Sequence, residues 1–143
     1  SVTIEHNVIG SSVDQHYLAA NSVQFGFGGA GSLIHNDIMG NQWFGASDDV
    51  ATAVLLYQPG AVTVSDNNIA GNSDTGIYAF GDNLVIDNNR IFDSGVDVNQ
   101  HGYDIGIGNY GNNSVTNNKV RGFDTPYDGV VGGNNKVVAS PHS

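Results

Sequence analysis

Two short stretches of this chain carry residues suited to bond-making chemistry. Asp48-Asp49 sets two carboxylates next to each other, and Gln100-His101-Gly102-Tyr103-Asp104 gathers an imidazole, a phenol and a carboxylate. Paired carboxylates can divide the acid and base roles of glycoside cleavage. A His, a Tyr and an Asp around one carbon can remove a proton and return it. Asp48, Asp49, His101, Tyr103 and Asp104 are therefore the candidate catalytic residues. Each also has a plainer role: a solvated acidic loop for Asp48-Asp49, and loop packing for Tyr103.

Aromatic residues in the same segments suit a sugar partner. Tyr17, Trp43 and Tyr127 offer flat apolar faces for pyranose rings, and Asp128 can accept hydroxyl hydrogens. These four are the candidate ligand-binding residues, with Phe44 and Tyr103 nearby. Packing of loops onto a scaffold accounts for the same aromatics. His6, His35 and Asp66 occupy equivalent positions and would suit a shared divalent metal, but an outward polar column beside a turn is the favoured reading. The run Gly26-Phe27-Gly28-Gly29-Ala30-Gly31 lacks the Lys-Ser/Thr of a phosphate loop and reads as a tight turn.

The composition narrows the partners. Four basic residues stand against 14 acidic ones, a formal charge of -10. Nucleic acid and anionic membranes are bound by Lys and Arg that displace counterions, so neither is an expected partner. A polyanionic substrate would need help, and calcium is the cofactor that clustered carboxylates would accept. There is no cysteine, which removes disulfides and thiolate metal sites. The longest aliphatic run, Ala53-Val54-Leu55-Leu56, is too short to insert in a bilayer. The chain's 143 residues read as one domain, 1–143, and its start at Ser1, directly before a repeat, suggests a piece of a longer protein.

The elements that must position these residues announce themselves through repetition. An aliphatic, an Asn three residues on, and an Ile or Val two further recur as Ile4-Asn7-Ile9, Leu33-Asn36-Ile38, Val64-Asn67-Ile69, Ile86-Asn89-Ile91 and Val115-Asn118-Val120. Asn135-Lys136-Val137 is a worn sixth copy. Successive Asn residues lie 29, 31, 22 and 29 positions apart. A fixed motif at such a period marks a solenoid, one supersecondary unit per repeat. Apolar residues alternate with a period of two, as strands require, and no sustained helical stripe appears. Twenty Gly and eighteen Asn fit a chain that turns often, because both tolerate left-handed backbone.

Each repeat therefore reads as a short strand, a turn at Asn, a second strand, a variable loop and a third strand. The third strands are expected at Val23-Phe25, Val54-Leu56, Ile77-Ala79, Ile105-Ile107 and Val130-Val131. Stacked in register, the Asn side chains would form a ladder of amide hydrogen bonds. Length variation falls between the second and third strands. The long segments are Gly10-Asn21, Met39-Thr52, Phe92-Tyr103 and Arg121-Asp128, and the short one is Ala70-Thr75. All would project from one edge, carrying most of the reactive residues, His16, Asp97 and Asp124 among them.

From Val2 to Val137 these Asn-x-Ile/Val turns, with stretches such as Gly76-Ile77-Tyr78-Ala79-Phe80-Gly81, resemble the right-handed parallel β-helix superfamily of pectate lyases, polygalacturonases, alginate epimerases and phage tailspikes. The resemblance implies an all-β right-handed parallel β-helix of about five to six coils with an Asn ladder. Asp48-Asp49 and His101-Gly102 are similar to the Asp-Asp and His-Gly elements of polygalacturonase-like glycosidases, but the Arg-x-Lys and Asn-Thr-Asp elements are missing. The Tyr/Asp-Pro-His-Asp string of the epimerases is absent too, and of the basic residues only Arg121 stands at a loop root. The expected function is engagement of a polysaccharide or other glycan along the loop-lined face, by a module of a larger secreted or cell-surface protein. The alternative is a glycoside hydrolase or a uronate lyase or epimerase. Unpaired strand edges at the ends of such a prism would favour end-to-end self-association.

Overall fold

In the computed structural model, residues 1–11 and 17–139 are described. The first coil runs β1 (Val2–Glu5), β2 (Val8–Ile9) and β3 (Asn21–Gly26). The second runs β4 (Gly31–Ile34), β5 (Asp37–Met39) and β6 (Thr52–Tyr57), and the third β7 (Val62–Ser65), β8 (Asn68–Ala70) and β9 (Thr75–Phe80). The fourth holds β10 (Val85–Asp87), β11 (Arg90–Phe92) and β12 (Ile105–Tyr110). The fifth holds β13 (Ser114–Thr116), β14 (Lys119–Arg121) and β15 (Thr125–Asp128), and β16 (Lys136–Val137) opens a sixth.

Equivalent strands pair in parallel into three sheets: β1-β4-β7-β10-β13, β2-β5-β8-β11-β14-β16 and β3-β6-β9-β12-β15. Each aliphatic of the repeat sits over its counterpart. In the first sheet Ile4 pairs with Leu33, Leu33 with Val64, Val64 with Ile86 and Ile86 with Val115. In the second, Ile38, Ile69, Ile91 and Val120 form a fully buried column. Burying one such side chain stabilises the fold by about 1.5–3 kcal/mol.

The Asn ladder closes the turn between the first two sheets. The Nδ2 of Asn7, Asn36, Asn67, Asn89 and Asn118 donates to the Oδ1 of the next Asn in the series, at 2.9–3.2 Å, ending on Asn135. Backbone amides of the same residues donate to the same acceptors. A second Nδ2 bond reaches the coil before, as from Asn89 to the Val64 carbonyl at 2.9 Å. The left-handed backbone falls on the residue before each ladder Asn: His6, His35, Asp66, Asn88, Asn117 and Asn134 have φ of 55–58°. Those six point outward, leaving the ladder Asn free to turn in.

Three details depart from the repeat alignment. The last third strand is Thr125–Asp128 rather than Val130-Val131. Ile107, not Ile105, pairs with Ile77. The connection after β14 is only residues 122–124, so Arg121-Asp128 is not a long loop. Tyr127 and Asp128 therefore lie on a strand. The long connections of the second and fourth coils, 40–51 and 93–104, do leave the same edge, with the four-residue connection 71–74 between them. The first long segment falls partly, and His16 wholly, outside the described residues.

Candidate functional site

The short connection of the third coil leaves a gap, and loops 40–51 and 93–104 meet across it. Gln100 donates to the Phe44 carbonyl at 3.0 Å, Asn99 to the Asp49 carbonyl at 3.0 Å and Gln42 to the Val96 carbonyl at 2.5 Å. The seam is pinned from below by Asp74, whose Oδ2 accepts from the amides of Trp43 and Ala51 and from Asn99 Nδ2 at 2.9–3.0 Å. Burial nevertheless raises the Asp74 pKa, partly offset by those bonds.

Three of the five candidate catalytic residues come together at this seam. His101 Nδ1 lies 3.9 Å from Asp48 Oδ1, although their loops belong to coils two apart. His101 Nε2 is 2.8 Å from the Ala46 carbonyl, and because a carbonyl only accepts, Nε2 carries the proton. The Asp48 carboxylate beside Tyr103 raises the pKa of its phenol and keeps it protonated. Asp49 is adjacent but turned to Ser47, whose hydroxyl it accepts at 2.5 Å. Asp104 is placed elsewhere, buried at the mouth of β12 with its Oδ2 on the Asp124 amide at 2.6 Å.

The candidate ligand-binding residues divide in the same way. Trp43 is only 3 % exposed, with its indole N–H on the Ser47 carbonyl at 2.9 Å, so its ring is a plug inside loop 40–51. Tyr127 closes the end of the core and donates to the Asn118 and Lys136 carbonyls at 3.0 and 2.7 Å. Burial pushes its phenol up to about 12. Tyr17 is fully open to solvent. Asp128 accepts the Tyr110 hydroxyl at 2.9 Å.

That last contact leads to aromatics absent from the candidate residues. On the outer face of the third sheet, Phe27, Tyr57 and Phe80 follow one another at ring separations of 5.7 and 5.2 Å. Tyr78 and Tyr110 lie 5.0 Å apart beside them. Tyr110 reaches both Tyr78 and Asp128 by folding over Gly108, where a Cβ would stand 2.7 Å from its ring. Tyr57 and Tyr78, with Val50, Thr52 and Leu55, line a shallow groove of about 160 Å³ along the loop ridge. Tyr103 is close enough to Tyr78 for the two phenols to influence each other. The signal was present in Ile77-Tyr78-Ala79-Phe80, whose aromatics alternate with inward residues and so must face out.

Charge is sorted between the faces. Asp48, Asp49, Asp74, Asp93, Asp97, Asp104 and Asp124 gather along the loop edge. All four basic residues lie on the second sheet: Arg90 pairs with Lys119 and Lys119 with Lys136, while Arg121 stacks 4.2 Å from the Phe92 ring. Arg121 is thereby committed to that sheet and not to the seam. A larger polar depression of about 440 Å³ borders the same sheet, among Asp87, Asn88, Asn117, Lys119, Asn134 and Lys136. It lacks aromatic walls. Of the metal geometries, His6 and His35 stack ring on ring at 5.3 Å, and Asp66 accepts from Asn88 at 2.6 Å. Among the described residues the three ligand atoms that converge belong instead to Asp97, Asp104 and Asp124.

Three parallel sheets wound around one core, with a turn ladder and an edge of variable loops, define a β-helix. The sequence pattern of the right-handed β-helix region matches residues 1–139, and the chain belongs to that family. Neither a curated protein nor a solved structure matches it.

Proposed function

We propose that this β-helix engages a carbohydrate polymer along the outer face of its third sheet, as a module of a larger secreted or surface protein. The observation that carries the reading is the aromatic strip Phe27-Tyr57-Phe80 with Tyr78 and Tyr110, running across successive coils beside carboxylates. Such faces stack on the C–H side of sugar rings while Asp48 and Asp128 take hydroxyl hydrogens. A solenoid repeats its side chains along its axis, as a polymer repeats its residues. Affinity electrophoresis through neutral and uronate polysaccharides, with and without calcium, tests it directly. Tyr57→Ala and Tyr78→Ala should weaken retention at least several-fold; retention by no polysaccharide, or unaltered in both variants, rejects the reading.

A second reading rests on the seam. Asp48, His101 and Tyr103 form a contact set in which Asp48 could act as an acid or base beside the groove. The protonated Tyr103 fits poorly as the base of a lyase, and the basic nitrogen of His101, Nδ1, is turned to the Asp48 carboxylate. Turnover seen as new reducing ends, and lost in Asp48→Asn while retention on polysaccharide persists, would favour this enzyme over the binding module.

A further inference from the structure

Asp97, Asp104 and Asp124 come from the loop 93–104, the mouth of β12 and the mouth of β15, yet one carboxylate oxygen from each lies within 4.8 Å of the others. Calcium holds oxygen ligands at about 2.3–2.6 Å, so two oxygens on one ion stand no more than about 5 Å apart. The three carboxylates meet that limit together.

Asp104 adds an independent reason. It is 4 % exposed, and while its Oδ2 takes the Asp124 amide, its Oδ1 is buried with no hydrogen-bond donor. A buried carboxylate oxygen without a partner is costly, and such groups in folded proteins are ordinarily satisfied by a donor or an ion. No Lys or Arg can serve, because all four lie on the second sheet.

The geometry points to a divalent cation site of the calcium class formed by Asp97, Asp104 and Asp124, which clamps loop 93–104 to the fifth coil. The all-oxygen, all-carboxylate donor set favours a hard cation over zinc, and water would complete the shell. Because Asp97 sits in the loop that also carries Asn99, Gln100 and His101, the ion would steady that side of the seam. The site does not rest on the glycan reading and can fail or stand without it.

Calorimetric titration of the metal-free protein with calcium chloride to about 5 mM, beside magnesium chloride, tests the proposal. One calcium per chain is expected, with the melting midpoint raised on the order of 5–10 °C at saturation and loop 93–104 slower to be cut by protease. Asp104→Asn keeps an acceptor for the Asp124 amide and should lose at least tenfold in affinity, as should Asp124→Asn. Asp97→Asn, at an exposed position, keeps the test decisive if Asp104→Asn does not fold. No calcium binding by the wild type overturns the site, as does an equal loss in Asp37→Asn on the second sheet, which would mark diffuse counter-ion binding.

Discussion

His101 faces the Asp48 carboxylate at 3.9 Å across the seam, its Nε2 anchored on the Ala46 carbonyl at 2.8 Å. Both side chains are substantially exposed, so even a protonated His101 would feel only a screened attraction worth under about 1 kcal/mol. His101→Ala should therefore lower global stability little while loosening the seam. Hydrogen exchange should quicken in residues 40–51 and 93–104 and stay unchanged in the ladder. Unchanged exchange in both loops would show that Gln42, Asp74, Asn99 and Gln100 hold the seam without His101.

The ladder should weaken from its middle. Asn89 accepts from the Asn67 amide and side chain and donates to Val64 and Asn118, all in a buried setting. Asn89→Ala strands several of these groups, each costing about 1–3 kcal/mol, for a total of roughly 3–4 kcal/mol. Asn7, exposed at the first coil, should cost under about 1 kcal/mol when changed to Ala. Urea unfolding of the two variants compares them; equal losses would mean that the ladder contributes no more inside than at its end.

Asp104 makes the metal-free protein unusual in its response to pH. Burial holds its pKa at about 6, well above the ordinary carboxylate range, so the folded state holds this proton more tightly than the unfolded chain. Its contribution is fully present below the unfolded pKa and is lost as pH rises through the folded one. Stability should thus fall between about pH 4 and 6 in chelator, with buried Asp74 and Asp93 acting in the same sense, and Asp104→Asn should lessen that slope. Asp87 acts in the opposite sense at lower pH, since bonds from Thr116 and Asn117 depress its pKa. A wild-type slope retained in Asp104→Asn would assign the effect to another group.

Trp43 reports on the scaffold. It is the chain's one tryptophan and is buried in loop 40–51, so its emission should be blue-shifted and poorly quenched by acrylamide. Polysaccharide added at the aromatic face should leave that emission in place. Trp43→Ala should cost about 3 kcal/mol through the cavity it leaves. A large emission change on glycan binding would place the sugar against loop 40–51 instead.

The scaffold was legible because stacked coils print their periodicity on the chain. The Asn-x-Ile/Val turn recurs wherever an amide must meet its neighbour, and alternation betrays the strands. What escaped depends on register. Ile105 and Ile107 satisfy the same alternation, and only pairing with Ile77 selects Ile107. Thr125-Pro126-Tyr127 carries no aliphatic pair, so β15 passed for loop. The meeting of Asp48 with His101 follows from the intervening short connection, while the convergence of Asp97, Asp104 and Asp124 follows from which strand mouths are neighbours. Neither relation has a local signature. Trp43 illustrates a limit of another kind, because residue type cannot distinguish a sugar platform from a plug.

The four-residue connection 71–74 is where the third coil does least, yet it decides what its neighbours can do. Because loops stand one rung apart, shortening one opens a window through which those on either side can touch. Deletion is thus a constructive operation on this scaffold. A contact between distant segments can be created by trimming a third, with every rung of the ladder still bonded. Refilling the window with about ten residues between Gly71 and Asp74 would part Asp48 from His101 without altering either.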